Sequence, residues 1–451
     1  MNIDRTPLAN SLLDELLSEG IVSLAELERT LFTWLMRLGC TVEKLLFERL
    51  DAMVTADALA NGWRFKAMHG HRVCCRFGSF RYERAMVQRV RNGAVRSPLG
   101  EHLQLVFGFV TGEAARLAVR SCAGLSTRAA ARLLRDVGTT APSRSTIVRL
   151  LDRFGHAVAA RRPEALEILA EHTAPPKEAV AVSVQLDGVM ALLVSGRREA
   201  LRQQARAEGR KVGGPIGKEE CSVGALVFYD SSGDRLRTVR VARMPEPEKA
   251  GLKADLRTLL ARALAVRPDL KVVALSDGAP NHWSFLESLN PDYMVVDFFH
   301  AAEHIQRRLN RALGVGTHPT QARFKELRRD LFDGNHARAF LKLEKTEREN
   351  GTFKVRKTTG RGAQPTFYER HHGRMDYRAL RALNLPIGSG EIEGTARYLV
   401  VDRLRRTGMR WKPHGGQAVL DLRCAVVNHV FDALWALIEP DRTELEVLIA
   451  A

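Results

Sequence analysis

The sequence is poor in cysteine and in aromatic residues, and it contains no long apolar run. Its six cysteines are scattered through 451 residues without a CxxC pair, so neither a zinc site nor a disulfide framework is indicated. No stretch approaches the roughly 18 consecutive apolar residues of a membrane-spanning helix. The N-terminus also lacks the apolar segment of a signal peptide. These absences predict a cytoplasmic protein with no membrane partner.

Acidic residues are outnumbered by basic ones. The chain has 69 Lys and Arg against 52 Asp and Glu, which gives a net charge of +17. This excess favours a polyanionic partner, most simply nucleic acid; a generally arginine-rich proteome is the alternative explanation. The arginines recur in every region rather than on one amphipathic helix, which argues against a membrane surface. With 45% hydrophobic residues, the chain is globular and long enough for two or three domains.

The N-terminal part of the chain has the periodicity of helices. Residues 1–70 are predicted to form a helical region, because apolar residues recur every three or four positions. Residues 71–170 are predicted to hold a small hairpin near Gly78 and a helical DNA-binding domain. The polar, proline-containing segment 172–179 is the expected domain boundary.

One stretch of the second region, GLSTRAAARLLRDVGTTAPSRSTIVRLLDRFG, has the outline of a helix-turn-helix. Ser126 or Thr127 would cap the first helix. The second would begin at Pro142 and carry Arg144 and Arg149, which are candidate DNA-binding residues. An ordinary helical hairpin in a packed bundle has the same outline, and both interpretations remain open.

The rest of the chain alternates strands and helices in the order β, β-hairpin, α, β, α, β, which predicts a mixed sheet covered by helices. The first part of this α/β core spans residues 178–300. A helical segment rich in Lys and Arg, residues 301–384, interrupts the pattern. Residues 385–438 are its final helical part, and residues 439–451 form a tail.

Two aspartates of the core, each followed by glycine, end apolar strands: Asp187 in VQLDG and Asp277 in LSDGA. Either one alone is explained more simply as an Asp-Gly turn. However, ligands of α/β sheets bind beyond the strand ends, where both acids fall. Glu391 or Glu393, in the first helical turn after the Gly-Ser-Gly segment 388–390, can add a third carboxylate. Such an all-oxygen site suits Mg²⁺ or Mn²⁺ and metal-dependent phosphoryl transfer.

The chain resembles the ISKra type of bacterial insertion-sequence transposase, within the Asp-Asp-Glu, RNase H-like superfamily that includes retroviral integrases. The resemblance is carried by VQLDG, LSDGAPNHW, DFFH and RMDYRALRALNLPIGSGEIEGTARYLVVDRLRRTGMRWK. It implies an RNase H-like mixed sheet with an all-α insertion, after a mainly helical N-terminal region with a helix-turn-helix. It also implies Mg²⁺, or Mn²⁺, as cofactor. The implied partner is double-stranded DNA, both element ends and target, bound by a homo-oligomer.

By this resemblance Asp187, Asp277 and Glu393 are the catalytic, metal-binding triad. Glu393 is preferred over Glu391 because the family pattern keeps a Glu-Gly pair two residues beyond the Gly-Ser-Gly turn. Asp297 and His300, in DFFH, match the Asp/Cys-x-x-His pair of the superfamily, with an implied role in supporting the site. Asp297 is equally placed to cap the next helix.

The C-terminal part of the resemblance also contains basic residues expected to line a DNA groove, although a solvated helix face is an alternative. They are Arg403, Arg406, Arg410 and Lys412. The predicted function is DNA transposition by a cytoplasmic, nucleoid-associated bacterial enzyme. It would cut element ends and join them to target DNA by two-metal phosphoryl transfer. Two alternatives are another RNase H-like nuclease, such as a resolvase, and a catalytically inactive transposase-derived DNA-binding protein.

Overall fold

The computed structural model describes residues 10, 13–14, 18, 23–103, 105–137, 142–194, 203–210, 217–278, 280–353 and 366–439. The chain divides into two compact units. Unit 1 comprises Met1–Ala157 with Trp435–Ala451, and unit 2 comprises Val158–Leu434. The division therefore differs from the expected boundary at residues 172–179. Most of the expected tail, residues 440–451, lies outside the described residues.

Unit 1 begins with a long helix and a hairpin. The hydroxyl of Ser23 caps the helix by accepting the N–H of Glu26 at 3.2 Å. The predicted hairpin is confirmed, although its first strand crosses the expected boundary at residue 70. The elements, in chain order, are helix α1 (Leu24–Ala60) and strands β1 (Arg64–Cys74), β2 (Ser79–Gln88) and β3 (Val95–Arg96), all three antiparallel to their neighbours.

The core of unit 1 joins α1 to the hairpin through aromatic packing. The ring of Phe47 on α1 meets the rings of Phe80 and Tyr82 on β2 edge-on, with centroids 5.3 and 5.5 Å apart. Asp51, one turn further along α1, accepts the backbone N–H of Ala85 at 2.7 Å. The described part of this unit continues with helices α2 (Pro98–His102), α3 (Gly112–Ser121), α4 (Thr127–Asp136) and α5 (Arg144–Ala160).

Helices α4 and α5 occupy the segment with the helix-turn-helix outline. Ser126 caps α4 as expected, since its hydroxyl accepts the N–H of Ala129 at 3.2 Å. Ser143 accepts the N–H of Thr146 at 3.2 Å and so caps α5. Residues 138–141 between the helices lie outside the described residues. The helix positions agree with the prediction, and DNA reading by this pair stays a prediction.

Unit 2 is built on a mixed five-stranded sheet. Its strands are β4 (Ala181–Leu192), β5 (Lys218–Tyr229), β6 (Arg235–Arg243), β7 (Lys271–Ser276) and β8 (Tyr293–Val296). In space the order is β6-β5-β4-β7-β8. The strands β4, β5 and β6 pair antiparallel, whereas β7 pairs parallel with both β4 and β8. The parallel pairs need crossover connections, which the intervening helices supply.

Helices account for most of the remaining described part of unit 2. The predicted mixed α/β architecture is confirmed, and so is the mainly helical character of residues 301–353 and 366–384, the described part of the segment 301–384. The helices are α6 (Arg162–His172), α7 (Ala250–Val266), α8 (Pro280–Glu287), α9 (Phe298–Leu313), α10 (His318–Phe332), α11 (His336–Glu349), α12 (Phe367–His371), α13 (Tyr377–Ala382), α14 (Gly390–Ala396), α15 (Asp402–Leu404), α16 (Pro413–Val427) and α17 (Phe431–Ile438), the last extending into unit 1. Within the described ranges, no helix is both long enough and apolar enough to cross a membrane.

Candidate active site

Asp187 lies on β4, and Asp277 directly follows the last residue of the neighbouring parallel strand β7. The ladder between β4 and β7 keeps a constant offset of 90 residues up to its last pair, Gln185 and Leu275. Continued for two residues beyond that pair, the same offset would set Asp277 level with Asp187, and the charge of Asp277 does act on the carboxyl of Asp187. Neighbouring strands are about 4.8 Å apart, and residues at one level of a parallel pair face the same side of the sheet. The register therefore brings the two predicted acids together.

The position of Asp187 differs in one respect from the prediction. It does not end its strand: β4 continues to Leu192 and stays paired with β5 beyond the acid. What ends near this level is the partner strand β7, whose last residue is Ser276. The simpler turn explanation is therefore wrong for Asp187, because an acid inside a continuous strand forms no hairpin turn.

The surroundings of Asp187 disfavour its charged form. Burial raises the pKa of this carboxyl, and the negative charge of Asp277 raises it further. The N–H of Gly188, which donates to Oδ1 of Asp187 at 2.6 Å, acts in the opposite direction. So do the positive charges of Lys249 and His300. A bound cation would reduce the electrostatic repulsion between these two carboxylates.

Asp297 ties the same edge of the sheet to the turn before α14. Its carboxylate is fully buried, at 0% exposure. Oδ1 accepts the backbone N–H of His300 at 2.6 Å, and Oδ2 accepts the backbone N–H of Ser389. The N–H of Phe298 donates to the carbonyl of Ile387 at 2.9 Å. These bonds fasten the turn that begins the helix of the predicted third acid.

The capping alternative for Asp297 is confirmed, since Asp297 is the N-cap of α9 and accepts the N–H of His300. Its side chain also pairs with the ring of His300, whose Nδ1 lies 3.1 Å from Oδ1. Ser389 precedes α14 in the N-cap position, but its hydroxyl makes no capping bond to that helix. The backbone of Ser389, rather than its side chain, makes the contact with Asp297.

Asp297 and His300 form a charged pair at neutral pH. The hydrogen bond to Asp297 raises the pKa of His300 to about 9 against the effect of burial, and the charges of Asp277 and Glu393 contribute. Burial opposes ionisation of Asp297, but the hydrogen bonds from His300 and Ser389 lower its pKa below the ordinary value. The resulting imidazolium lies within electrostatic range of Asp187, Asp277 and Glu393.

The Gly-Ser-Gly turn is tightly packed at its first glycine. A Cβ added at Gly388 would lie 2.8 Å from a ring carbon of Phe299. Real Cβ atoms essentially never approach that closely, so a side chain at position 388 would require the exposed ring of Phe299 to move.

Glu391 and Glu393 have different surroundings. Glu391 pairs with Arg235 on β6, lies 3.2 Å from the hydroxyl of Thr238 and lies 3.6 Å from Arg240. Glu393 is exposed, two residues further along α14. Two positions on an α-helix are about 200° apart, so the glutamates face different directions. The pairing of Glu391 with β6 leaves Glu393 as the better third carboxylate.

Two residues beside Asp277 were missed in the sequence. His282 is buried, at 3% exposure, and its Nδ1 lies 3.2 Å from Oγ of Ser276. Its Nε2 lies 2.8 Å from Nζ of Lys249, also buried at 8%. Burial lowers the pKa of His282 to about 4, and the charge of Lys249 adds to this effect. The spacing of His282, five residues after Asp277 in DGAPNHW, was the available signal. Nothing in the sequence marked Lys249.

Aromatic and imidazole rings line the other side of this region. Trp283 is buried, and the guanidinium of Arg374 lies over its ring, 4.1 Å from the centroid. The indole of Trp283 is therefore packed in the interior. His371 is also buried, with its ring centroid 5.9 Å from that of Trp283. Burial lowers the pKa of His371 to about 4, and the nearby charge of Arg374 contributes.

The basic stretch after α14 is helical only as far as Leu404, so Arg406, Arg410 and Lys412 lie beyond the end of the helix. A π-helical segment, Arg397–Val401, leads into the single turn α15, which ends at Leu404. Arg403 was expected to line a DNA groove, and this expectation is wrong. Its side chain is buried at 2% exposure, and its guanidinium lies over the ring of Trp411, 5.0 Å from the centroid. A buried, stacked guanidinium is not presented to a phosphate.

The other basic residues of this stretch are exposed. Arg406, Arg410 and Lys412 all reach the surface, and Arg406 also donates from Nε to the carbonyl of Asp402 at 2.6 Å. In unit 1, Arg144 and Arg149 are exposed on α5. The guanidinium of Arg149 lies 4.1 Å from the ring centroid of Phe107, so part of its role is packing.

The predicted metal ligands are only partly assembled. Among the residues that the structure describes, no three His, Cys, Asp or Glu side chains are close enough together to hold an ion. Asp187 and Asp277 nevertheless offer hard oxygen donors at one level of the sheet, which fits Mg²⁺ or Mn²⁺. Glu393 is exposed on a helix that is fastened to the same edge. The donor chemistry fits the predicted ion, with two of its three ligands aligned by the strand register.

No protein-family model matches the chain, and no curated protein matches it in sequence.

Proposed function

We propose that the protein is a DNA transposase with an RNase H-like catalytic core. It would cut the ends of an insertion element and join them to target DNA, as the resemblance to ISKra-type enzymes implies. The observation that carries the proposal is the proximity of Asp187, on β4, to Asp277, which follows the end of the parallel strand β7. Paired carboxylates at the edge of a mixed sheet are suited to metal-dependent chemistry on phosphodiesters. The proposed enzyme acts as a homo-oligomer on double-stranded DNA in the bacterial nucleoid.

The third carboxylate of the proposed site is Glu393. The bond from the N–H of Ser389 to Asp297 fastens its helix to the sheet edge. The charge of Glu393 contributes, together with that of Asp277, to the raised pKa of His300. The pairing of Glu391 with Arg235 and its neighbours on β6 favours Glu393 for this role. Closing the site requires α14 to approach Asp187 and Asp277, and the charge of His300 acts within reach of all three acids.

In the proposed reaction, Asp187, Asp277 and Glu393 bind Mg²⁺, or Mn²⁺ in its place. When bound, such ions activate the attacking water or 3′-hydroxyl and stabilise the leaving oxygen. The protein's own contribution is positioning. The strand register fixes the two aspartates, and the Asp297–His300 pair holds a positive charge beside them. That charge is suited to attract the scissile phosphate.

The exposed basic residues supply the proposed DNA contacts. Arg406, Arg410 and Lys412 follow the helix of Glu393 and are available to hold the strand being cut. Arginine binds phosphate through two parallel hydrogen bonds, which also fixes its orientation. In unit 1, Arg144 and Arg149 on the helix pair α4 and α5 are the proposed residues for reading element ends.

The test is strand cleavage and strand transfer with Mg²⁺ on DNA that carries candidate terminal inverted repeats. Wild type should cut and join, whereas Asp277→Asn should bind the same DNA without cutting it. Asp269→Asn is the matched control, since Asp269 is an exposed acid paired with Arg267 in the turn before β7. Normal cutting by Asp277→Asn would reject the proposed chemistry.

The substrate preference of the wild-type protein distinguishes the proposed function from its two alternatives. A structure-specific nuclease would cut branched DNA with no requirement for terminal repeats. A protein that binds terminal repeats but cuts no DNA with either Mg²⁺ or Mn²⁺ would be a transposase-derived DNA-binding protein. Cleavage that depends on the repeat sequence supports the transposase.

A further inference from the structure

Lys249 has an unusual backbone and a buried side chain. It adopts the left-handed conformation with φ 56°, directly after Glu248 with φ 52°. Two consecutive non-glycine residues in the left-handed conformation are uncommon, and they persist only where the surrounding structure holds them in it. A lysine is also rarely buried unless its ammonium is paired. Something at this position therefore compensates for both a strained backbone and a buried charge.

The partners of the ammonium are His282 and Glu220. Nζ of Lys249 lies 2.8 Å from Nε2 of His282 and 3.3 Å from Oε1 of Glu220. An ammonium has three hydrogen-bond donors and no acceptor. Nε2 of His282 must therefore accept, and in the neutral ring the proton is then on Nδ1.

The protonated nitrogen of His282 faces the end of the strand that leads to Asp277. Nδ1 lies 3.2 Å from Oγ of Ser276 and 3.7 Å from Oδ1 of Asp277. The hydroxyl of Ser276 itself donates to Oδ1 of Asp277, at 3.2 Å. The ring thus presents an N–H toward two oxygens, one of which belongs to a candidate metal ligand.

The other partner, Glu220, reaches the backbone beside Asp187. A Cβ added at Gly188 would lie 1.6 Å from Oε1 of Glu220. Glycine at this position therefore leaves the space that the Glu220 carboxylate occupies. The same ammonium contacts a side chain that packs next to Asp187 and a ring that faces Asp277.

We propose that Lys249 is a positioning residue of the active site: it fixes the tautomer of His282 and, through that ring, the orientation of the Asp277 carboxylate. The inference rests on the proposed function for its catalytic consequence. Its structural part, the dependence of the His282 tautomer on Lys249, does not. Hydrogen-bond partners behind metal ligands orient the ligands and commonly affect activity by about 10- to 100-fold.

The structural part is tested by nitrogen NMR of the full chain labelled with [¹⁵N]histidine, with the His282 signals assigned by comparison with His282→Gln. Wild type should show the proton of His282 on Nδ1. Lys249→Met should shift the ring toward the other tautomer, and Lys249→Arg, which keeps the donor, should restore Nδ1–H. Lys271→Met is the matched control, because Lys271 is exposed and pairs with Asp292 on the surface. An unchanged ring in Lys249→Met would overturn the proposal.

The catalytic part is tested by cleavage kinetics on the same variants, with folding checked by thermal unfolding. Lys249→Met should lower kcat by about 10- to 100-fold with an unchanged KM for DNA, and Lys249→Arg should recover most of the rate. Equal losses of kcat in Lys249→Met and Lys249→Arg would reject the proposal. So would a lower thermal unfolding temperature with unchanged kcat, because Lys249 would then have only a structural role. If the tautomer depends on Lys249 but wild type cleaves no DNA, the proposed nuclease function fails. The link from Lys249 to His282 is then supported on its own.

Discussion

The backbone N–H of Ser389 donates to the buried carboxylate of Asp297, across 92 residues of sequence. This contact joins the end of β8 to the start of α14 after the chain has passed through the helical segment between them. The bond is made by backbone on one side and a fully buried acid on the other. A substitution at Ser389 leaves its backbone N–H in place as the donor of this bond. A substitution at Asp297 removes the acceptor.

Asp297→Ala should destabilise unit 2 more than the loss of an ordinary helix cap. The substitution removes the acceptor for the N–H groups of His300 and Ser389, and hydrogen bonds to a charged acceptor contribute about 1.5 to 3 kcal/mol each. We expect a loss of about 3 kcal/mol in the free energy of unfolding, measured by urea denaturation. Asp376→Ala removes an exposed cap of α13, which accepts the N–H of Ala379, and should cost about 1 kcal/mol. Equal losses would mean that the Ser389 contact contributes nothing.

The contribution of His300 to stability should depend on pH. Its pKa is about 9 in the folded protein and 6.5 without the fold. A group with a raised folded pKa stabilises fully below its unfolded pKa, and the stabilisation is lost as the pH rises through the folded value. Urea denaturation of wild type and His300→Gln should therefore differ most below pH 6.5 and converge above about pH 9. In an Asp297→Ala background the pH dependence of this difference should disappear, because the hydrogen bond that raises the pKa is gone.

The two glutamates of α14 should separate stability from catalysis. Glu391→Gln removes a partly exposed ion pair with Arg235 and Arg240, so we expect a loss of up to about 1 kcal/mol in stability. Its cleavage rate should stay close to that of wild type. Glu393→Gln should unfold like wild type and lose Mg²⁺-dependent cleavage. The reverse pattern in the two cleavage assays would assign the third ligand to Glu391.

Arg403 and Arg410 should respond differently to replacement by alanine. Arg403 is buried against Trp411, so Arg403→Ala should lower the thermal unfolding temperature and leave the salt dependence of DNA binding unchanged. Arg410 is exposed, and Arg410→Ala should reduce the slope of log K against log salt concentration by about 0.9, the value for one lost phosphate contact. If Arg403→Ala reduced the slope of log K against log salt concentration and kept normal stability, Arg403 would be a DNA-contacting residue after all.

Much of the sheet and part of the site could be predicted from the sequence, because both depend on local patterns. Apolar strands separated by turn and helix signals gave the strands of unit 2. The spacing of 90 residues between Asp187 and Asp277 proved to be the register offset of their strands. The capping role of Asp297 follows equally from its immediate neighbours in the sequence.

The remaining features depend on tertiary contacts that leave no local trace. The sequence pattern around an arginine is the same whether its side chain faces DNA or the core. The burial of Arg403 against Trp411 was therefore not predictable. The pairing of Glu391 with β6 joins residues more than 150 positions apart. Lys249 follows a proline-containing turn with no pattern of its own, and only the folded chain places it against His282.

Because Ser389 follows Asp297 by 92 residues, their contact forms late during synthesis of the chain. All five strands of the sheet are complete by Val296, and domains generally fold from the N-terminal side as the chain emerges. Asp187 and Asp277 are therefore synthesised, together with all five strands, before the helix that carries Glu393 and packs on β4 and β5. In the proposed enzyme, DNA cutting has to wait until residues beyond 390 have left the ribosome, so a translation product that ends before Glu393 lacks the third carboxylate.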